Sequence, residues 1–101
     1  MIEVYEETPG NGTKEKIESI DFGIVEAGQS KQKRLYLKNI SKGYIKNLRV
    51  KCSESNVKII KCSDTLSISG WGDLILEWVC PLTLEKGLKT SVTFEGTVIL
   101  E

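Results

Sequence analysis

Apolar and polar residues alternate one by one along most of this chain, and a period of two is what a half-buried β-strand requires. Leu35 and Leu37 share one face of the run Arg34–Asn39, and Leu48, Val50 and Cys52 share one face of Asn47–Cys52. The longest such stretch, Asp73–Cys80, puts Leu74, Leu76, Trp78 and Cys80 on one side, with Trp78 as the expected central core residue. Shorter runs begin at Val57 with Ile59 and at Leu66 with Ile68, and a last one starts at Val92 and Phe94 and continues through Val98 and Leu100. Between them lie Gly23, Gly28, Ser41–Gly43, Ser53–Asn56, Ser69–Gly72 and Glu85–Gly87, which supply turn chemistry. Only Leu82–Lys89 could hold a helical turn, confined by Pro81 and Gly87. About seven short strands at roughly 8–12-residue spacing predict an all-β, antiparallel two-sheet sandwich.

A chain of 101 residues is one domain, too short to place a cleft between two. Residues 17–101 carry the alternating pattern. Residues 1–16 read differently: Ile2, Val4 and Tyr5 suit a short strand, while Thr8–Thr13 is a hinge or loop. That arm either packs as an extra edge strand or reaches a neighbouring molecule. The last run ends one residue before Glu101, which reads as a complete small gene product. Asn11–Thr13 and Asn39–Ser41 match the glycosylation acceptor pattern, a match that arises often by chance.

Several classes of function are disfavoured by what the chain lacks. It has no histidine, and so lacks the commonest general base and the commonest zinc ligand. There is no G-x-S-x-G elbow, and Gly10–Gly12 lacks the helix and Gly-Lys-Ser/Thr ending of a phosphate loop. No enzyme activity and no cofactor are expected. No apolar run is long enough to span a bilayer, and the first ten residues lack a signal peptide's basic start and apolar block, so no membrane association is expected. Three cysteines, Cys52, Cys62 and Cys80, are an odd number. Reduced thiols used as small apolar residues are the plainest reading; a Cys52–Cys62 bridge and a zinc site of three thiolates with a carboxylate are the alternatives.

A net charge of zero hides a strong segregation. Residues 1–30 hold seven acidic and two basic side chains, residues 31–61 one acidic and ten basic, and residues 62–101 six acidic and two basic. Strand alternation sends several of the central cations, Lys33, Lys46 and Lys51 among them, towards solvent. Three explanations compete: solvated strand faces whose lysines discourage edge pairing, complementarity to an acidic protein surface or another copy, and nucleic acid. Two arginines and only Tyr36 and Tyr44 as interleaved aromatics make nucleic acid unfavoured. The candidate partner-binding residues are therefore Lys31, Lys33, Arg34, Lys46, Arg49, Lys51 and Trp71, with Trp71 in a loop as either a contact residue or a lid over the open sandwich end.

The run Ile20–Gly28 (IDFGIVEAG) followed by Leu35–Ser41 (LYLKNIS) resembles the immunoglobulin-like domains related to major sperm protein, in which a Phe-Gly-x-Val-x-x-Gly opening precedes a strand ending in Asn and a Ser or Thr turn. The similarity extends over about residues 17–100, with Ser69–Gly72 standing where such domains often carry prolines. Locally, Phe22 offers a core anchor, Gly23 and Gly28 allow changes of direction, and Asn39 can bond loop backbone through its side chain. Such domains occur in cilium-associated, bacterial surface and phage virion proteins. The resemblance implies an immunoglobulin-like sandwich and a structural, protein-binding role, first of all as a virion component such as a capsid decoration or tail-associated protein, bound to a capsid or tail lattice or to copies of itself. A cellular adaptor or surface-associated immunoglobulin-like domain, cytoplasmic if cellular, is the alternative. A carbohydrate-binding module using Trp71 with Tyr44 is a further one.

Overall fold

The alternating runs form strands wherever each can bury one face and pair its backbone, and the computed structural model is all-β. It describes residues 2–7, 12–54, 56–80 and 86–100, with no account of the side chains of 86–89. Nine strands follow in order: β1 (Ile2–Glu7), β2 (Lys14–Ile17), β3 (Ile20–Val25), β4 (Ser30–Asn39), β5 (Tyr44–Cys52), β6 (Val57–Cys62), β7 (Trp71–Val79), β8 (Lys86–Thr90) and β9 (Val92–Ile99). A five-stranded antiparallel sheet has the order β2-β1-β4-β7-β6, and it faces two antiparallel pairs, β3 with β8 and β5 with β9. Among the described residues there is no helix, and hence none long and apolar enough to cross a membrane.

The core sits between these layers. Leu35 and Leu37 of β4 and Leu74, Leu76 and Trp78 of β7 meet Phe22 of β3 and Ile45, Leu48 and Val50 of β5. Trp78 is fully buried, and its ring lies 6.0 Å from that of Phe22, joining the two layers. Its Nε1–H finds no acceptor among the described residues, so its contribution is packing. The longest pairing, Ser30–Lys38 of β4 against Val79–Trp71 of β7, runs through nine residue pairs without a bulge. The N-terminal segment is part of the sheet: β1 lies between β4 and β2, with Val4 opposite Leu37 on one side and Ile17 on the other. A division after residue 16 falls inside β2.

Three details differ from the alternation. The Leu66–Ile68 run is not a strand: only Leu66 pairs, through two 2.8 Å backbone bonds with Ile45, after which Ser67–Gly70 turns and Ile68 is exposed. Lys86–Thr90 is strand β8 and not a helical turn, because its backbone pairs with β3; residues 82–85 lie outside the described residues. Trp71 is the first residue of β7 and not a loop residue. Gly72 reads as turn punctuation, yet it is a packing site: a Cβ there would collide with Leu66 and Ser63. Gly23 likewise lies within β3, at a bulge between Asp21 and Ile24 where its φ of 71° needs glycine and its N–H bonds Asp21 Oδ1 at 2.8 Å.

Asn39 does what its place at a strand end suggests. It is buried, and its Nδ2 donates to the carbonyls of Gly43, Leu66 and Ser67 at 2.9, 3.2 and 3.0 Å, while Oδ1 accepts from the N–H and Oγ of Ser41. An amide so engaged is no glycan acceptor; Asn11 lies outside the described residues.

No disulfide joins the cysteines, the Cys52–Cys62 alternative included, and burial raises the Cys52 and Cys62 thiol pKa values, with Asp64 adding to the second. Among the described residues no Cys, Asp and Glu side chains gather as a metal-ligand set. Melting curves with and without reductant are expected to coincide; a drop on reduction would reveal a bridge. Trp78→Ala is expected to cost about 3–5 kcal/mol in chemical denaturation, since it empties the junction of the two layers. A loss under about 1 kcal/mol would contradict the packing described.

Candidate protein-binding surface

Strand parity that sends Leu35, Leu37, Leu74 and Leu76 inward sends Tyr36, Lys38, Trp71 and Asp73 to the outer face of the five-stranded sheet. Register then brings them together: Tyr36 stands opposite Tyr5 on one side and Asp73 on the other, and Lys38 stands between Glu3 and Trp71. The rings of Tyr5 and Trp71 meet edge to face at 5.1 Å. Lys14 Nζ lies 4.8 Å from the Tyr36 ring centre and 5.5 Å from that of Trp71; Lys38 Nζ is 5.4 Å from Trp71, and the Arg34 guanidinium 5.6 Å from Tyr36. Trp71 keeps 48% of its surface exposed. A shallow cavity of about 330 Å³ lies among Lys14, Tyr36, Trp71, Gly72 and Asp73.

Carboxylates from β1 and β7 hold this face in place. Tyr5 Oη donates to Glu3 at 3.0 Å, and Tyr36 Oη donates to Glu7 at 3.4 Å. Lys16 pairs with Glu3 at 3.0 Å, and Asp73 receives both Arg34 at 3.3 Å and Lys61 at 3.8 Å. The Lys16 ammonium, with the Tyr5 hydroxyl second, holds the Glu3 carboxyl below its ordinary pKa of 4.5; in return Glu3 raises those of Lys16 and Tyr5. The result is an aromatic floor with charges of both signs at its border.

The sequence candidates divide between surfaces. Arg34 and Trp71 belong to this face. Lys46, Arg49 and Lys51 lie on β5 in the opposite layer, exposed beside Thr97, Glu95 and Thr93 of β9, with a bulge at Asn47 (φ 54°) keeping Lys46 and Arg49 both outward. Lys31 and Lys33 share the inward parity of Leu35 and Leu37: Lys33 pairs with Trp78's strand opposite Leu76, is half-buried, and binds Glu6 at 3.2 Å. Its expected solvent-facing position is therefore corrected, and Lys31 points towards Gly23 of β3. The ten cations form no single basic face, because consecutive strands of a sandwich cross between layers. Tyr44 does not line the Trp71 cavity; it borders a separate one with Thr65, Leu66, Ser67 and Ile68.

Tyr5, Lys14 and Lys38 were absent from the sequence candidates. The outward positions of Tyr36, Lys38 and Trp71 follow from alternation, but Tyr5 and Lys14 join them only through the β1–β4 and β1–β2 pairings, which local pattern does not reveal. Comparison with protein-family models, curated proteins and solved structures finds no match for this chain, so the surface is read from its own geometry.

The Glu3–Lys16 pair gives a direct check. Lys16→Met is expected to move the Glu3 titration midpoint up towards 4.5, measured by side-chain carboxyl NMR shifts. Because the folded-state value is depressed, the stabilisation is present above 4.5 and fades as pH falls through the folded midpoint. An unmoved midpoint would mean that Lys16 does not hold Glu3.

Proposed function

We propose that this chain is a non-enzymatic, protein-binding β-sandwich that helps to build or stabilise an assembly, and that it docks through the Tyr5–Tyr36–Trp71 face. The observation that carries this reading is the aromatic trio bordered by Arg34, Lys14 and Lys38 on one side of its chemistry and Glu3, Glu7 and Asp73 on the other. Tyr, Trp and Arg are the residues that dominate binding energy at protein interfaces, and a mixed charged border supplies register and selectivity. Nucleic acid fits less well, since phosphates would meet those carboxylates. Sugar stacking fits less well too, since Lys14 and Lys38 both stand over the Trp71 ring.

The resemblance of residues 20–41 to immunoglobulin-like domains related to major sperm protein supports a structural role, with a virion component such as a capsid decoration or tail-associated protein as the proposed setting. A cytoplasmic adaptor would use the same face. Co-sedimentation with assembled particles from the source separates the two, because only the first remains with the particles. Paired Tyr36→Ala and Trp71→Ala changes are expected to weaken attachment about tenfold or more while melting changes little. Charge reversal of Lys46, Arg49 and Lys51 on the opposite layer should leave attachment nearly intact. The reverse result would move the contact to β5, and tight, steeply salt-dependent retention of short DNA would favour nucleic acid.

A further inference from the structure

The structure leaves one strand edge open beside an apolar groove, and the reason lies in how β2 and β3 part. They are separated by only Glu18 and Ser19, yet β3 pairs with β8 in one layer and β2 pairs with β1 in the other. Continuing the β3–β8 register, in which Ile20 faces Thr90, would set Ile17 opposite Thr93 and cover the first half of β9. The chain turns away instead. Among the described residues, β9 pairs with β5 alone.

A groove of about 280 Å³ occupies the space β2 vacates, lined by Ile2, Val4, Ile17, Ile40, Val92 and Phe94, with Glu3, Lys16 and Glu18 at its rim. No β5 residue borders it, so it lies on the side of β9 away from β5. Ile2, Ile17, Val92 and Phe94 all pack on the core and yet stay half-buried, as core side chains do when a covering strand is missing. The two outer edges of the five-stranded sheet are guarded. β2 carries Lys14 and Lys16, and β6 carries Lys58, Lys61 and a bulge between Ile59 and Lys61, devices that discourage pairing. Edge strand β9, VTFEGTVI, has one charge in eight residues, no proline, and five β-branched residues besides its Phe.

We propose that β9 is a strand-acceptor edge, completed by an extended segment of a partner protein that carries apolar side chains at alternate positions and basic residues between them. Main-chain bonds to β9 would supply affinity, and alternate side chains entering the groove would supply selectivity. The charge at the rim selects the occupant. Lys16 sits between Glu3 at 3.0 Å and Glu18 at 3.9 Å, which leaves the border net acidic. A second copy presenting its own β9 would set two such acidic borders against each other.

The test uses the full chain and an eight-residue peptide, capped at both ends, that alternates valine with lysine or threonine. Calorimetric titration is expected to show saturable binding, and hydrogen exchange to show slowed amides in β9 with those of β2 and β6 unchanged. Methylating the peptide nitrogens along one edge should lower affinity about tenfold or more, as should Ile40→Lys, an exposed groove position whose change should spare the melting temperature. Tyr36→Ala with Trp71→Ala should leave peptide binding intact. The proposal is overturned by no binding up to millimolar peptide, by equal binding of the methylated peptide, by protection at β2 or β6 instead, or by loss of binding in the Tyr36/Trp71 variant. Self-association through β9 without peptide would make a second copy the occupant and also overturn it.

Discussion

One buried side-chain amide connects the parts that would otherwise drift apart. Asn39 ends β4, yet its Nδ2 reaches the carbonyls of Gly43 before β5 and of Leu66 and Ser67 in the connection between β6 and β7. Leu66 is itself bonded to Ile45 of β5, so a single residue of the five-stranded sheet secures the edge of the facing layer. Buried carbonyls deprived of such a donor cost about 1–3 kcal/mol each. The Phe22–Trp78 contact adds packing across the layers but no direction, whereas the amide accepts only one arrangement of three chain segments. Backbone at 66–67 that could have continued as a strand is spent on Asn39 and Ile45, and Ile68 is left in solvent.

The same economy shapes the two surfaces. β1 inserts between β2 and β4, and this places Tyr5 against Trp71 and Glu7 against Tyr36 on the outer face. Pulling β2 to β1 also withdraws it from β9. The aromatic floor and the open β9 edge are thus two consequences of one change of direction at Glu18–Ser19. The two tyrosines of the floor are tied through hydroxyl bonds to carboxylates and Trp71 packs edge to face on Tyr5, contacts present before any partner arrives, which lowers the ordering cost of docking. The groove is the opposite case: its side chains belong to the core and lack only a cover.

Much of this fold was legible locally. Alternation in Arg34–Asn39, Asn47–Cys52 and Asp73–Cys80 decides which side chains go inward, since successive residues of a strand face opposite ways. Leu35, Leu37, Leu48, Val50, Leu74, Leu76 and Trp78 are all buried as that alternation requires. Asn39 was legible as well, because a short amide at a strand end bonds nearby backbone in many folds. The pattern was misleading where one residue type serves two purposes: Gly72 signals a turn but permits Leu66 to approach a strand.

What sequence alone determined is therefore the inward direction of the apolar residues in the long alternating runs, and with it the all-β class and the centre of the core. Tertiary structure alone decided which outward residues became neighbours. The cations of residues 31–61 are close in the chain but divide among the outer face, the Lys33–Glu6 contact and the β5 layer, because consecutive strands lie in different sheets. Tyr5 and Trp71, sixty-six positions apart, touch because β1 and β7 both pair with β4. Alternation is a property of bonds between neighbours and can be read along one strand. Pairing depends on which distant backbones meet, and no short stretch of sequence contains that information.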